Sequence, residues 1–211
     1  MPNQNLAHFI KIAALCVLAA ALNHLIFPVF VLGFRMPLFM DTVFTAAVTF
    51  YAGLIPGLAA ALLTWVIGFT IKDGIINPFI ICSIAEVILI FLLKPSDVRT
   101  RGLLSEEKKS FIFATTLASL MVLYITVCIT ISTLGGLIDY IFYTEFPNTK
   151  PDYSAEDAFK EWFSDSPIPM LILNILSRVP VNLVDRFIVI FGGYFISRGM
   201  VKMESKLFPK P

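Results

Sequence analysis

Six apolar stretches divided by polar, glycine or proline residues constrain this chain more than any other feature: 6–27, 37–52, 56–71, 78–93, 110–143 and 168–198. A bilayer core about 30 Å thick takes about 20 apolar residues as a helix. Stretches of this length and number predict an all-α integral membrane protein, a single membrane domain over residues 1–211 with six transmembrane helices. The rest of the composition agrees: 57% of the residues are hydrophobic and only 15% charged, at a mean hydropathy of +0.83. Such values lie outside the range of soluble globular domains. A net charge of +1 with no Lys/Arg-rich run excludes a nucleic-acid partner.

The second and third stretches are separated only by "YAGLIPG", in which Gly53, Pro56 and Gly57 mark a tight helical hairpin. Spans two to four are short, so neighbouring helices are expected to shield them in part from lipid. The fifth stretch is too long for one straight crossing. It is expected to stop near Gly135-Gly136, giving a span over 110–134, and to continue as an interfacial segment, "LIDYIFYTEF", rich in aromatic residues. The first stretch has a poor basic n-region and reads as a retained span, not a cleaved leader.

Lys94, Arg99, Arg101, Lys108 and Lys109 cluster in one loop, and Arg198, Lys202, Lys206 and Lys210 in the tail. The positive-inside rule places both in the cytoplasm, and six crossings then put both termini there. The outer loop, 144–167, is acidic. It is expected to hold an amphipathic segment in which Trp162 and Phe163 either dip into the interface or cover a cavity.

Ionisable residues within a span cost about 2.5–3.5 kcal/mol each on insertion scales, so each implies a partner or a cavity. Asp41 opens the second span, with Thr45 and Thr49 following on one helical face; a hydrated cap is the inexpensive role for it. Glu86 lies deep in the fourth span beside Cys82 and Ser83, where a carboxylate is protonated, paired with a cation, or used for a ligand. Asn174, Arg178, Asn182 and Asp185 follow i, i+4, i+8, i+11, with Arg186 alongside. A stripe of this kind faces a bundle interior. Two compatible readings stand for it: a polar network joining helices, with Glu86 included, and a ligand site. Pro180 within it removes a backbone hydrogen bond, and Gly192-Gly193 permits close helix approach.

No P-loop, H-E-x-x-H, G-x-S-x-G or C-x-x-C motif occurs. Cys16, Cys82 and Cys128 sit singly in apolar stretches, so neither a metal nor a cofactor is expected and no enzymatic activity is indicated.

Three stretches, "DTVFTAAVTFYAGLIPGLAAALLT", "GIINPFIICSIAEVILIFLLK" and "VPVNLVDRFIVIFGGYFIS", make the chain resemble the S components of energy-coupling factor (ECF) transporters. The resemblance implies a multi-pass protein of the bacterial cell (inner) membrane that captures a vitamin-like small molecule from outside. It also implies partners, a membrane T component and cytoplasmic ATPase subunits, that drive release as the S component topples in the bilayer. Carried onto this sequence, it assigns substrate binding to Arg35, Asn77, Glu86, Asn174 and Arg178, with Trp162 as a lid residue. Asp41, Asn182, Asp185 and Arg186 go to a structural polar network. A membrane sensor or signalling module of related architecture is the alternative, although little chain follows Arg198 to serve as an output domain. A small channel or lipid-handling protein is a third reading, resting on Glu86 alone.

Overall fold

In the computed structural model, residues 2–28, 40–71, 77–95, 106–145, 160, 161, 163 and 167–207 are described. Arg35 and Trp162 lie outside them. The described residues form six α-helices: α1 (Pro2–Pro28), α2 (Val43–Ala52), α3 (Leu54–Ile71), α4 (Ile80–Leu93), α5 (Glu106–Glu145) and α6 (Met170–Leu207). Three of them, α1, α5 and α6, are long and apolar enough to cross a membrane, while α2, α3 and α4 are shorter apolar helices.

Helices α5 and α6 run antiparallel, as do α1 and α2, where Asn23 meets Thr45 and Lys11 meets Tyr51. On α5 and α6, Asp139 meets Arg178 and Ser132 meets Asn182, so position falls on one as it rises on the other. The N-terminal part of α1 reaches the C-terminal end of α6, where Lys11 Nζ contacts Glu204 Oε1 at 2.6 Å and Tyr51 of α2 joins both. The short α2 is central, packing on α1, α3, α4 and α6. Val43, Thr45, Ala46, Ala47, Val48 and Thr49, six of its 10 residues, are buried. Small and β-branched side chains suit a helix surrounded on so many sides, because they let neighbouring backbones close in. Away from the centre the polarity is inverted relative to a soluble protein. Phe9, Val17 and Leu25 of α1 and Phe111, Val122 and Ile129 of α5 are exposed, whereas Asn23, Glu86, Asn174, Asp185 and Arg186 are buried. An apolar exterior of this extent is compatible with a membrane protein.

Several element boundaries depart from the sequence-based expectations, each for a local reason. The hairpin between α2 and α3 narrows to one non-helical residue, Gly53, at φ 94°. That left-handed value suits glycine. Pro56 then falls in the first turn of α3, where its missing N–H has no partner to lose. Positions 37–39 of the expected second span lie outside the described residues; Asp41 and Thr42 form a turn and the helix begins at Val43. Met40 lies at φ 43°, a conformation that costs a non-glycine residue about 1–2 kcal/mol. Its N–H donates to Asp185 Oδ1 at 2.8 Å, and this bond holds the turn. Asp41 therefore precedes the helix and shares no helical face with Thr45 and Thr49.

The expected break at Gly135-Gly136 is overturned, since α5 is a continuous helix of 40 residues. These glycines are contact points, not punctuation. A Cβ on Gly136 would lie 2.7 Å from both the Cα and the N of Ile175, and one on Gly135 2.9 Å from Arg178 Nη1. Likewise Gly193, where a Cβ would come within 2.8 Å of the Ala46 Cβ, admits α2 against α6, whereas Gly192 makes only ordinary contact. The last helix runs past 198 to Leu207 and carries Pro180 on its exposed side.

No side chain of its own caps α2, and its start is tied to other helices instead. Asn23 of α1, fully buried, accepts from Phe44 N–H at 3.1 Å. It donates through Nδ2 to Thr45 Oγ1 at 2.9 Å and to Thr64 Oγ1 of α3 at 3.2 Å. One amide thus satisfies an orphan helix donor and joins three helices. Asn23→Ala leaves that N–H buried and unpaired, and is expected to cost about 2 kcal/mol, read as a lowered unfolding temperature in detergent.

Candidate functional site

The polar face of α6 turns into the seam that α6 makes with α2, α4 and α5. Asn174, Asn182, Asp185 and Arg186 are buried, and the Arg178 side chain is 12% exposed. The spacing read from the sequence thus puts all five on the interior side. Twelve residues separate Asn174 from Arg186, about 18 Å along the helix axis.

The deep end of this column is a charge cluster. Arg186 Nη1 donates to Glu86 Oε2 of α4 at 2.5 Å and to Thr42 Oγ1 at 3.0 Å, while Thr42 Oγ1 donates to the same Glu86 oxygen at 3.0 Å. Arg186 Nη2 bonds the neighbouring Asp185 and approaches Asp41 Oδ1 at 3.9 Å. Because Asp185 also holds the Met40 N–H, this cluster fixes where α2 begins. Removing one member of a buried, hydrogen-bonded ion pair costs far more than the pair contributes, so these contacts lock α2, α4 and α6 into one arrangement. Glu86, assigned to substrate binding from the sequence, lies within this cluster with three of the four residues assigned to the structural network, Asp41, Asp185 and Arg186. Its Oε1 and Arg186 Nε have no hydrogen-bond partner among the described residues.

Midway, Asn182 donates to Ser132 Oγ of α5 at 2.9 Å. One turn nearer the start of α6, Arg178 closes on Asp139 Oδ2 through both Nε and Nη2 at 2.7 Å. Its guanidinium carbon lies 4.7 Å from the centre of the Phe79 ring. Cation–π contact and ion pair together fix the guanidinium plane. Asn174 completes the column. It is fully buried, and among the described residues neither its Oδ1 nor its Nδ2 has a hydrogen-bond partner.

Asn77 stands apart, exposed ahead of α4. Its Oδ1 accepts from Phe79 N–H at 3.0 Å, and its carbonyl accepts from Trp65 Nε1–H at 2.8 Å. It shapes the approach to α4 and makes no contact with the α6 stripe in these bonds. Among the described residues no group of three or more His, Cys, Asp or Glu side chains is placed to hold a metal ion.

The chain matches no protein-family model, no curated protein and no solved structure. Its site therefore rests on its own geometry. Asp139 and Ser132 belong to that geometry and went unnamed in the sequence reading, and Thr42 joins them there. A signal for the first two was present: Ser132, Gly135, Gly136 and Asp139 recur at helical spacing, a small and polar stripe on α5 matching the one on α6.

Proposed function

We propose that this chain is the substrate-binding membrane subunit, the S component, of an ATP-driven ECF-type uptake transporter in a bacterial cell membrane. It captures a vitamin-like small molecule from outside and has no catalytic step of its own. The observation that carries this reading is Asn174, a buried amide with both polar atoms unpartnered, at the end of the polar column nearest the start of α6. A helix exposed to lipid has no use for such a group, and an unsatisfied amide in the interior costs about 1–3 kcal/mol. A solute that completes its hydrogen bonds recovers that cost.

In this reading all six helices lie in the bilayer. The end where Lys11 meets Glu204 faces the cytoplasm, in keeping with the basic loop after α4 and the basic tail of α6. Asn174, Arg178 and Phe79 then lie toward the outside, with the Arg186 cluster forming a fixed floor beneath them. The energy for release comes from a T component and its ATPase subunits, since the chain carries no nucleotide-binding motif.

Affinity purification of the tagged chain from its native membrane tests the assignment. A membrane partner together with a nucleotide-hydrolysing subunit is expected in the eluate. Recovery of the chain alone, with a bound solute but no uptake attributable to it, would favour the sensor reading.

A further inference from the structure

The charges along the column limit what Asn174 can receive. Arg178 is matched by Asp139, and Arg186 faces Glu86, Asp185 and, more distantly, Asp41. Among the described residues, four carboxylates stand against two guanidinium groups. An anion entering at Asn174 finds Arg178 already paired and gains no unmatched cation among the described residues, while the carboxylates around Arg186 only add negative charge farther in. A carboxylate or phosphate is thus a poor occupant.

Asn174 offers something different. A carboxamide presents one acceptor and one donor side by side in a plane, and such a pair binds two-fold to a ring edge with the complementary order, as asparagine does on adenine. Phe79, one turn of α4 away from Cys82 and stacked under Arg178, adds a flat apolar wall to the same end of the column. We propose that Asn174 is the specificity-determining contact for an uncharged ring bearing adjacent N–H and C=O groups, a lactam or cyclic ureide, and that the site rejects planar carboxylates. This rests on the column being the capture site described above.

The probes are uracil, 1,3-dimethyluracil and benzoate, used at millimolar concentration with the full chain in detergent and thermal unfolding as the readout. Uracil carries the edge, its dimethyl derivative has the donors blocked, and benzoate is a planar anion of similar size. Uracil is expected to raise the unfolding temperature, and the other two to leave it unchanged. Asn174→Leu should weaken the apparent affinity for uracil roughly ten- to a hundredfold. That variant removes two unpartnered polar atoms from the interior, so its own unfolding temperature should match or exceed that of the parent. Asn174→Ala, which removes both polar atoms without adding bulk, supplies the same loss of uracil binding should the leucine variant fold poorly.

Stabilisation by benzoate without uracil, an undiminished uracil effect in both variants, or no shift with any probe overturns the proposal. The two readings fail separately. If uracil binds through Asn174 and no transporter subunits accompany the chain, the transporter assignment falls and the edge contact stands. Recovery of those subunits with no Asn174-dependent binding gives the reverse.

Discussion

Arg186→Met is expected to destabilise the protein by roughly 3–5 kcal/mol, enough to prevent recovery of a monodisperse preparation from membranes. Glu86 and Asp185 are 2% and 0% exposed and both bond this guanidinium. Methionine fills most of the volume but leaves two buried carboxylates facing one another. Three helices are affected together, because Asp185 also holds Met40 at the start of α2 and Thr42 bridges α2 to Glu86. The effect should be partly reversible. Adding Glu86→Leu to Arg186→Met removes the carboxylate that loses most, and apolar replacements of buried pairs are often near neutral. More than half of the lost stability is expected to return in the double variant, measured by thermal unfolding in detergent. A double variant no better than Arg186→Met would mean that Glu86 does not depend on this arginine.

Gly136→Leu is the second large effect, about 3 kcal/mol. The Cβ position lies 2.7 Å from backbone atoms of Ile175, which cannot rotate aside as a side chain would. Accommodating leucine requires α5 and α6 to separate, and the Arg178–Asp139 and Asn182–Ser132 contacts along that seam would separate with them. Loss of solute binding should therefore accompany the loss of stability. The matching control is Gly199→Ala, where nothing lies within 4 Å of the added methyl. Relieved of the backbone entropy that glycine costs in a helix interior, that variant should gain roughly 0.5–1 kcal/mol. Opposite signs at two glycines of similar helical setting would identify close packing, not helix propensity, as what keeps Gly136.

The stripe on α6 was legible because residues at i, i+4, i+8 and i+11 share a face whatever surrounds them. Its partners were not. Asp139 sits among tyrosine, isoleucine and phenylalanine, a setting that reads as interfacial until α6 brings Arg178 within 2.7 Å. The glycine pair was misread for a related reason. Two glycines in a helix interior cost about 1 kcal/mol each relative to alanine, so local preference argues for a break. The close contact with Ile175 outweighs it. The start of α2 depends on Asp185, 145 positions away from Met40, and local preference carries no trace of such a bond. Asn23 was visible as a lone amide in an apolar span, the same kind of signal that singled out Glu86, yet its role as a junction of three helices emerges only from packing.

The central claim is that the column ending at Asn174 holds a small solute. Mass spectrometry of the denatured eluate, after purification of the full chain from its native membrane, addresses it most directly. The account predicts one small molecule with a neutral lactam or ureide edge, near equimolar with the protein and lost from Asn174→Leu. A well-folded parent preparation free of any such molecule, or one that retains the same molecule when Asn174 is replaced, would contradict it.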